Sequence, residues 1–190
     1  MITKWRVSTA PELEPVTLTQ MKLHLRVDCD TDDDLITALI IASREWCEDF
    51  ERRAYITQTI TAKLDYLPDV LLLPKPRLQS VTSIKYYDLS GVEQTLSSDL
   101  YDVDIYREPG QVVRGYNDSY PSMRSIVNAV EIIYKAGYGD AAASVPDKTI
   151  AAIKLFAAHL YENRIAAADI RLVEMPLGVK SLLNARANTA

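Results

Sequence analysis

Apolar positions along the chain change period twice. From Leu35 they fall at Leu35, Ile36, Leu39, Ile40, Trp46, Cys47 and Phe50, with Ser43 in the remaining place, a spacing that predicts a helix running to about Arg53. At about 22 residues such a helix is roughly 33 Å long. Its other face carries Arg44, Glu45, Glu48, Asp49, Glu51 and Arg52, which reads as a solvated face, with Leu39 expected in the core. A shorter helix comes first, with Leu18, Met21 and Leu25 on one side behind a capping box of Thr17 and Gln20. Upstream, Pro11 and Pro15 mark an extended opening.

After Ala54 the period becomes two. In QTITAKLDY (58–66) Ile60, Ala62, Leu64 and Tyr66 alternate with Thr59, Thr61, Lys63 and Asp65, the pattern of a half-buried strand. VLLLP, SVTSIKYYD, LYDVDIY and NAVEIIYKAGY read as further strands, and SGVEQTL closes a hairpin after the turn DLSG. Ten of the eleven tyrosines lie between 55 and 138, which suits sheets with a wet face, because tyrosine packs its ring and keeps its hydroxyl in water. From Ser144 the helical period returns, with Pro146 in the first turn and Ile150, Ile153, Ala157, Leu160, Tyr161 and Arg164 on one face.

The order helices, strands, helices predicts an α+β protein: a helical core of long N-terminal and C-terminal helices packed together, with an inserted antiparallel β lobe. The expected boundaries are 1–54 and 140–190 for the core with its C-terminal tail, and 55–139 for the lobe.

Two segments stand out as candidates for function. The first is DCDTDDD (28–34), where Asp28, Asp30, Asp32, Asp33 and Asp34 crowd together. A calcium loop counted from Asp28 places Asp33 where a glycine is needed and Leu39 where a bidentate glutamate is needed, so that reading fails. The aspartates instead precede and enter a helix, where unpaired N–H groups and the dipole favour negative charge. Thr31 with Asp34 has the capping pattern and makes Thr31 the expected N-cap. The remaining reading of the same acids is a surface that repels or recruits a partner. The second segment is the tail, where Val179, Leu182, Leu183 and Arg186 fall at i, i+3, i+4 and i+7, predicting a short amphipathic helix after Pro176.

Composition narrows the classes. The formal net charge is −5, which argues against nucleic-acid binding as the main role. Residues 28–54 hold nine acids and three bases, so the acidity is concentrated in one segment. No apolar run is long enough to span a membrane, and the opening MITKWRVSTAPELEP lacks the apolar stretch of a secretory signal, giving an expectation of synthesis in the cytoplasm. Cys29 and Cys47 form no CxxC pair and read as reduced thiols. His24 and His159 read as ordinary, partly buried histidines. Phosphate-binding glycine motifs, a GxSxG elbow and HExxH are all missing. Asp102 and Asp104 share a strand face that reads as hydrated, because Tyr101, Val103 and Ile105 form the opposite one. No catalytic residue, metal site or cofactor is expected.

Several stretches, in order, resemble the head–tail connector (adaptor) proteins of tailed bacteriophages and phage-derived gene transfer particles. They are LTQMKLHLRVDCDTDDDLITALIIASREWCEDFERRAYITQT, SVTSIKYYDLSGVEQTL, YDVDIYREPGQVV, YPSMR, NAVEIIYKAGYGDAAASVPDKTIAAIKLFAAHLYENR and MPLGVKSLLNAR. One departure is Asn184-Ala185-Arg186, where the family often has a proline–aromatic–arginine pattern. The resemblance implies a non-enzymatic virion subunit without cofactor. Such subunits assemble with copies of themselves, commonly about twelve, into a ring beneath the portal protein. The ring extends the channel through which DNA passes without specific binding, and it supports the next head-completion or tail protein. The resemblance also implies a tail, Pro176, Leu177, Val179, Leu182, Leu183 and Arg186, that reaches the portal or a neighbouring copy. A tyrosine-rich lobe binding a glycan or host protein is the alternative from a different class.

Overall fold

The computed structural model describes residues 4–163 and 177–184. The chain is α+β, with helices and two antiparallel sheets, and it divides into two compact units. One unit comprises Met1–Glu12 and Arg52–Tyr138, and the other Leu13–Glu51 and Gly139–Ala190.

Among the described residues the first unit holds eight strands: β1 (Lys4–Thr9), β2 (Gln58–Leu64), β3 (Val70–Leu72), β4 (Leu78–Tyr87), β5 (Glu93–Thr95), β6 (Tyr101–Asp104), β7 (Gln111–Arg114) and β8 (Val130–Ala136). They form a five-stranded sheet in the order β1-β2-β8-β4-β5 and a three-stranded sheet in the order β3-β7-β6. β1 was expected to travel with the helices. It pairs antiparallel with β2 instead, Lys4 opposite Lys63 and Arg6 opposite Thr61, so the opening segment belongs to the sheet unit. Strand pairing satisfies a row of backbone groups that an isolated extended segment leaves to water.

Period-two alternation sets the core of this unit. Ile60 and Ala62 of β2, Val130, Ile132, Tyr134 and Ala136 of β8, and Leu78 and Ile84 of β4 are buried together with Leu71, Leu73 and Val112. The buried Tyr134 hydroxyl donates to the carbonyl of Pro74 at 2.7 Å, as a buried polar group requires. β8 ends at Gly137 (φ 142°), where an added Cβ would lie 2.7 Å from the backbone of Ile56. Only glycine combines that φ with that approach.

Two exposed turns of this unit rest on aspartates. Asp88 accepts the backbone N–H groups of Ser90 and Val92 and the Gln94 amide. Asp65 accepts from the Asn128 backbone and Lys4. The Val92 N–H and the Gln94 amide hold Asp88 below the usual carboxylate range, and the Asn128 N–H followed by Lys4 does the same for Asp65. A carboxylate with a lowered folded pKa adds stability above its unfolded pKa and loses it as pH falls through the folded one. Asp88→Asn should therefore flatten the drop in melting temperature on acidification below about pH 4, a titration that circular dichroism can follow.

The second unit contains α1 (Leu18–Leu25), α2 (Asp33–Glu51), α3 (Asp147–Glu162) and α4 (Leu177–Asn184). The capping box on α1 is present: Gln20 N donates to Thr17 Oγ1 at 3.2 Å and Thr17 N to Gln20 Oε1 at 3.3 Å. α1 ends with Arg26 in the left-handed region (φ 58°), its N–H returning to the Leu23 carbonyl. α2 spans 19 residues, and its first bond, Ile36 N to Asp32 O at 2.8 Å, makes Asp32 rather than Thr31 the residue at the cap position.

The buried face of α2 also differs from the apolar periodicity. Ile36, Ile40, Ser43, Arg44, Cys47 and Glu48 are buried, Leu39 is half-buried, and Leu35 and Phe50 are exposed. Trp46 meets Phe156 of α3, ring centroids 5.2 Å apart, and stacks on Phe50. The apolar stripe is thus shared between the interior and the seam with α3. Burial pushes the Cys47 thiol up to about 12, whereas Cys29 is exposed. One thiol per chain should react with a disulfide reagent in the native protein, and two once urea unfolds it.

Candidate functional site

The acidic turn holds three helices of its unit together. Lys22 of α1 donates to Asp30 at 2.6 Å and to Asp33 at 2.7 Å, and the Tyr161 hydroxyl of α3 donates to Asp32 at 2.5 Å. Hydrogen bonding to Asp30 and then Asp33 raises the Lys22 pKa, and Lys22 lowers that of Asp30. Asp33 and Asp34 occupy the first turn of α2, where the helix dipole favours them. Asp28 and Asp34 are exposed. Three of the five aspartates therefore have structural partners, and the stretch serves as fold punctuation. Sequence reading missed Lys22 and Tyr161, because the fold, and no local spacing, brings them to the turn.

The tail helix forms where the spacing placed it. α4 lies on α3 and, to a lesser extent, α2. Val179 and Leu183 are buried, and Leu182 is half-buried. Pro176, Arg186 and the side chain of Leu177 lie outside the described residues. Half of the stripe, Val179 and Leu183, thus seats on its own chain. A helix this short needs such docking to be ordered.

The expected solvated face of α2 needs a second correction. Arg44 and Glu48 are 4% and 2% exposed. Arg44 Nη1 donates to Glu48 Oε2 at 3.0 Å, Nε to Glu14 Oε2 at 2.8 Å, and Nη2 to Glu45 Oε1 at 3.4 Å. One guanidinium thus ties the approach to α1 to the middle of α2, its five donors suited to a fork of carboxylates. Burial raises the Glu14 pKa, against the pull of Arg44. The i,i+4 spacing of Arg44 and Glu48 was visible in sequence, but their burial was not.

The remaining candidates separate. Asp104 accepts the N–H groups of Tyr106 and Arg107 and the Gln111 amide, a turn role, and Asp102 is exposed. His24 is exposed rather than partly buried, and His159 is half-buried beside Asn163. Among the described residues no group of three or more histidine, cysteine or acidic side chains is placed to hold a metal ion. No helix among them is long and apolar enough to cross a membrane.

Residues 15–99 match the family model of the phage gp6-like head-tail connector protein. Among solved structures, a chain in the virion of a native gene transfer agent particle aligns with a TM-score of 0.79 and 22% identity, covering 95% of this chain and 93% of that one. A chain in the neck of an empty gene transfer agent particle, computed with C6 symmetry, aligns with a TM-score of 0.77 and 21% identity over 96% and 94%. A chain in the native neck computed with C12 symmetry gives 0.72 and 22% over 96% and 94%. At these identities the three share the fold. No curated protein matches the chain.

Proposed function

We propose that the chain assembles with copies of itself into a ring, about twelve strong, at the head–tail interface of a tailed-phage-type particle. The match to the connector family model over residues 15–99 carries this reading, since it spans α1, α2 and strands β2 to β5. The fold shared with neck chains of gene transfer agent particles supports it. In this reading α2 and α3 form the ring's helical core, the portal protein lies above, and the next head-completion or tail protein lies below. A closed ring needs heterologous contacts, in which one face of a subunit fits a different face of its neighbour. The ring contributes a channel wall and a platform rather than chemistry. Tail residues Pro176, Leu177, Val179, Leu182, Leu183 and Arg186 supply the portal contact, with Val179 and Leu183 exchanging their intramolecular seat for one on the portal or remaining as its hinge.

The test is to delete the gene in the producing strain and image the particles. Filled or leaking heads without tails are expected, and restoring a tagged chain should return tails and place the tag in the neck. Complete, tailed particles without the chain would sink the proposal.

A further inference from the structure

Pairing registers place Lys4, Arg6, Lys63, Lys85 and Lys135 on one face of the five-stranded sheet, among Thr59, Thr61, Ser80 and Ser83. Three of these cations are answered within the chain: Lys4 by Asp65 at 3.1 Å, Lys63 by Glu131 at 3.0 Å and Lys85 by Glu93 at 2.9 Å. Arg6 and Lys135 are exposed and form no ion pair with another described residue. Beside Arg6 is a shallow hollow of about 360 Å³, lined by Lys4, Trp5, Arg6, Thr61, Lys63 and Asn128. Half-buried Ile133 shares the row of Arg6 and the strand of Lys135.

The outward face of α2 has the opposite character. Asp34, Ala38, Ile41, Ala42 and Glu45 are exposed and fall on one side of the helix. Ile41 is 36% exposed, and the Glu45 side chain 63%. Asp34 and Glu45 stand roughly 16 Å apart along the axis at 1.5 Å per residue. Arg6 and Lys135, two strand spacings and one two-residue step apart, are separated by roughly 12 Å. Long basic side chains span that difference.

We infer that the basic face of the five-stranded sheet receives the acidic outward face of α2 from a second copy, with Glu45 and Asp34 answering Arg6 and Lys135 across a small apolar centre of Ala38, Ile41 and Ile133. The inference rests on the ring reading and names its two unlike faces. Charge complementarity within one chain favours a second copy over nucleic acid. Only two cations on the sheet face are left over for phosphates, and the chain as a whole is negative. Interfaces of this kind are steered and kept in register by such charges.

Sedimentation velocity of the full chain in about 50 mM and about 500 mM salt tests it, because exposed pairs are screened over a Debye length. Self-association weakened by salt is expected. Asp34→Lys alone, and Arg6→Glu with Lys135→Glu, should each raise the dissociation constant about tenfold or more. Mixing the two variants should restore association, since each then offers the face the other needs, a rescue that misfolding could not produce. The inference is overturned by a wild type that stays monomeric in low salt, by variants that associate like the wild type, or by a mixture without rescue. Salt-sensitive binding of a short DNA duplex that Arg6→Glu abolishes would assign the sheet face to phosphate and overturn it too. A neck that contains the chain but assembles normally with these reversals removes this pairing and leaves the ring reading standing. A neck without the chain removes the ring reading itself.

Discussion

Arg44→Ala will destabilise the folded chain by about 3 to 5 kcal/mol in urea unfolding, because it removes the guanidinium from a buried network of carboxylates. Glu48 is 2% exposed and Arg44 Nη1 lies 3.0 Å from it, so the truncation takes a neutralising charge from a carboxylate that stays buried. Arg44→Lys should also be costly, since a compact ammonium lacks the planar fork whose Nε, Nη2 and Nη1 reach Glu14, Glu45 and Glu48. The paired replacement Arg44→Met with Glu48→Leu should recover most of the loss, because apolar groups of similar volume avoid the desolvation of two charges. Glu14 supplies the pH dependence. Its folded pKa is raised, so its contribution is present below the unfolded value and is lost as pH rises through the folded one. Removing Arg44 takes away the charge that opposes this loss, so the penalty of Arg44→Ala should be larger at about pH 8 than at about pH 4. Equal penalties at both would mean that Glu14 is not part of the network.

Leu183→Ala will cost about 2 to 5 kcal/mol, the range for deleting a buried leucine side chain from a seat that collapses incompletely. Leu183 is 2% exposed and Val179 fully buried, while Ser181 on the same helix is exposed. Ser181→Ala is therefore the control and should change the melting temperature little. Deleting residues 176–190 should lower it at least as far as Leu183→Ala. If Leu183→Ala melts like the wild type, α4 is not held by its own chain, and the stripe is free for a partner. In the proposed ring the same residues then have two possible seats. Loss of portal binding by Leu182→Asp, at a half-buried position, would separate the partner contact from the intramolecular one.

Much of the fold was legible because local signals are strong where backbone chemistry is local. The capping box at Thr17 and Gln20 predicted the start of α1, and period-two alternation located β2 and β8. The i, i+3, i+4 stripe after Pro176 marked α4. The aspartates were correctly assigned to the entry of α2, although the cap fell one residue later than expected, at Asp32. That shift lies within the ordinary spread of helix ends.

Tertiary structure decided the rest, for one physical reason: burial depends on neighbours distant in sequence. Charge periodicity put Arg44 and Glu48 in water, yet Glu14, thirty residues before Arg44, helps to neutralise that cation and allows the pair to be buried. The opening strand carries no signal for its partner, and only pairing with β2 moves it from the helices to the sheet. Lys22 and Tyr161 reach the aspartate turn because α1 and α3 pack beside it. By itself the sequence determined which segments are helix and most of those that are strand, with the entry of α2 placed to within one residue. Only packing settled which charges are buried, which strand joins which sheet and where the tail helix rests, because those outcomes depend on contacts that no local window contains.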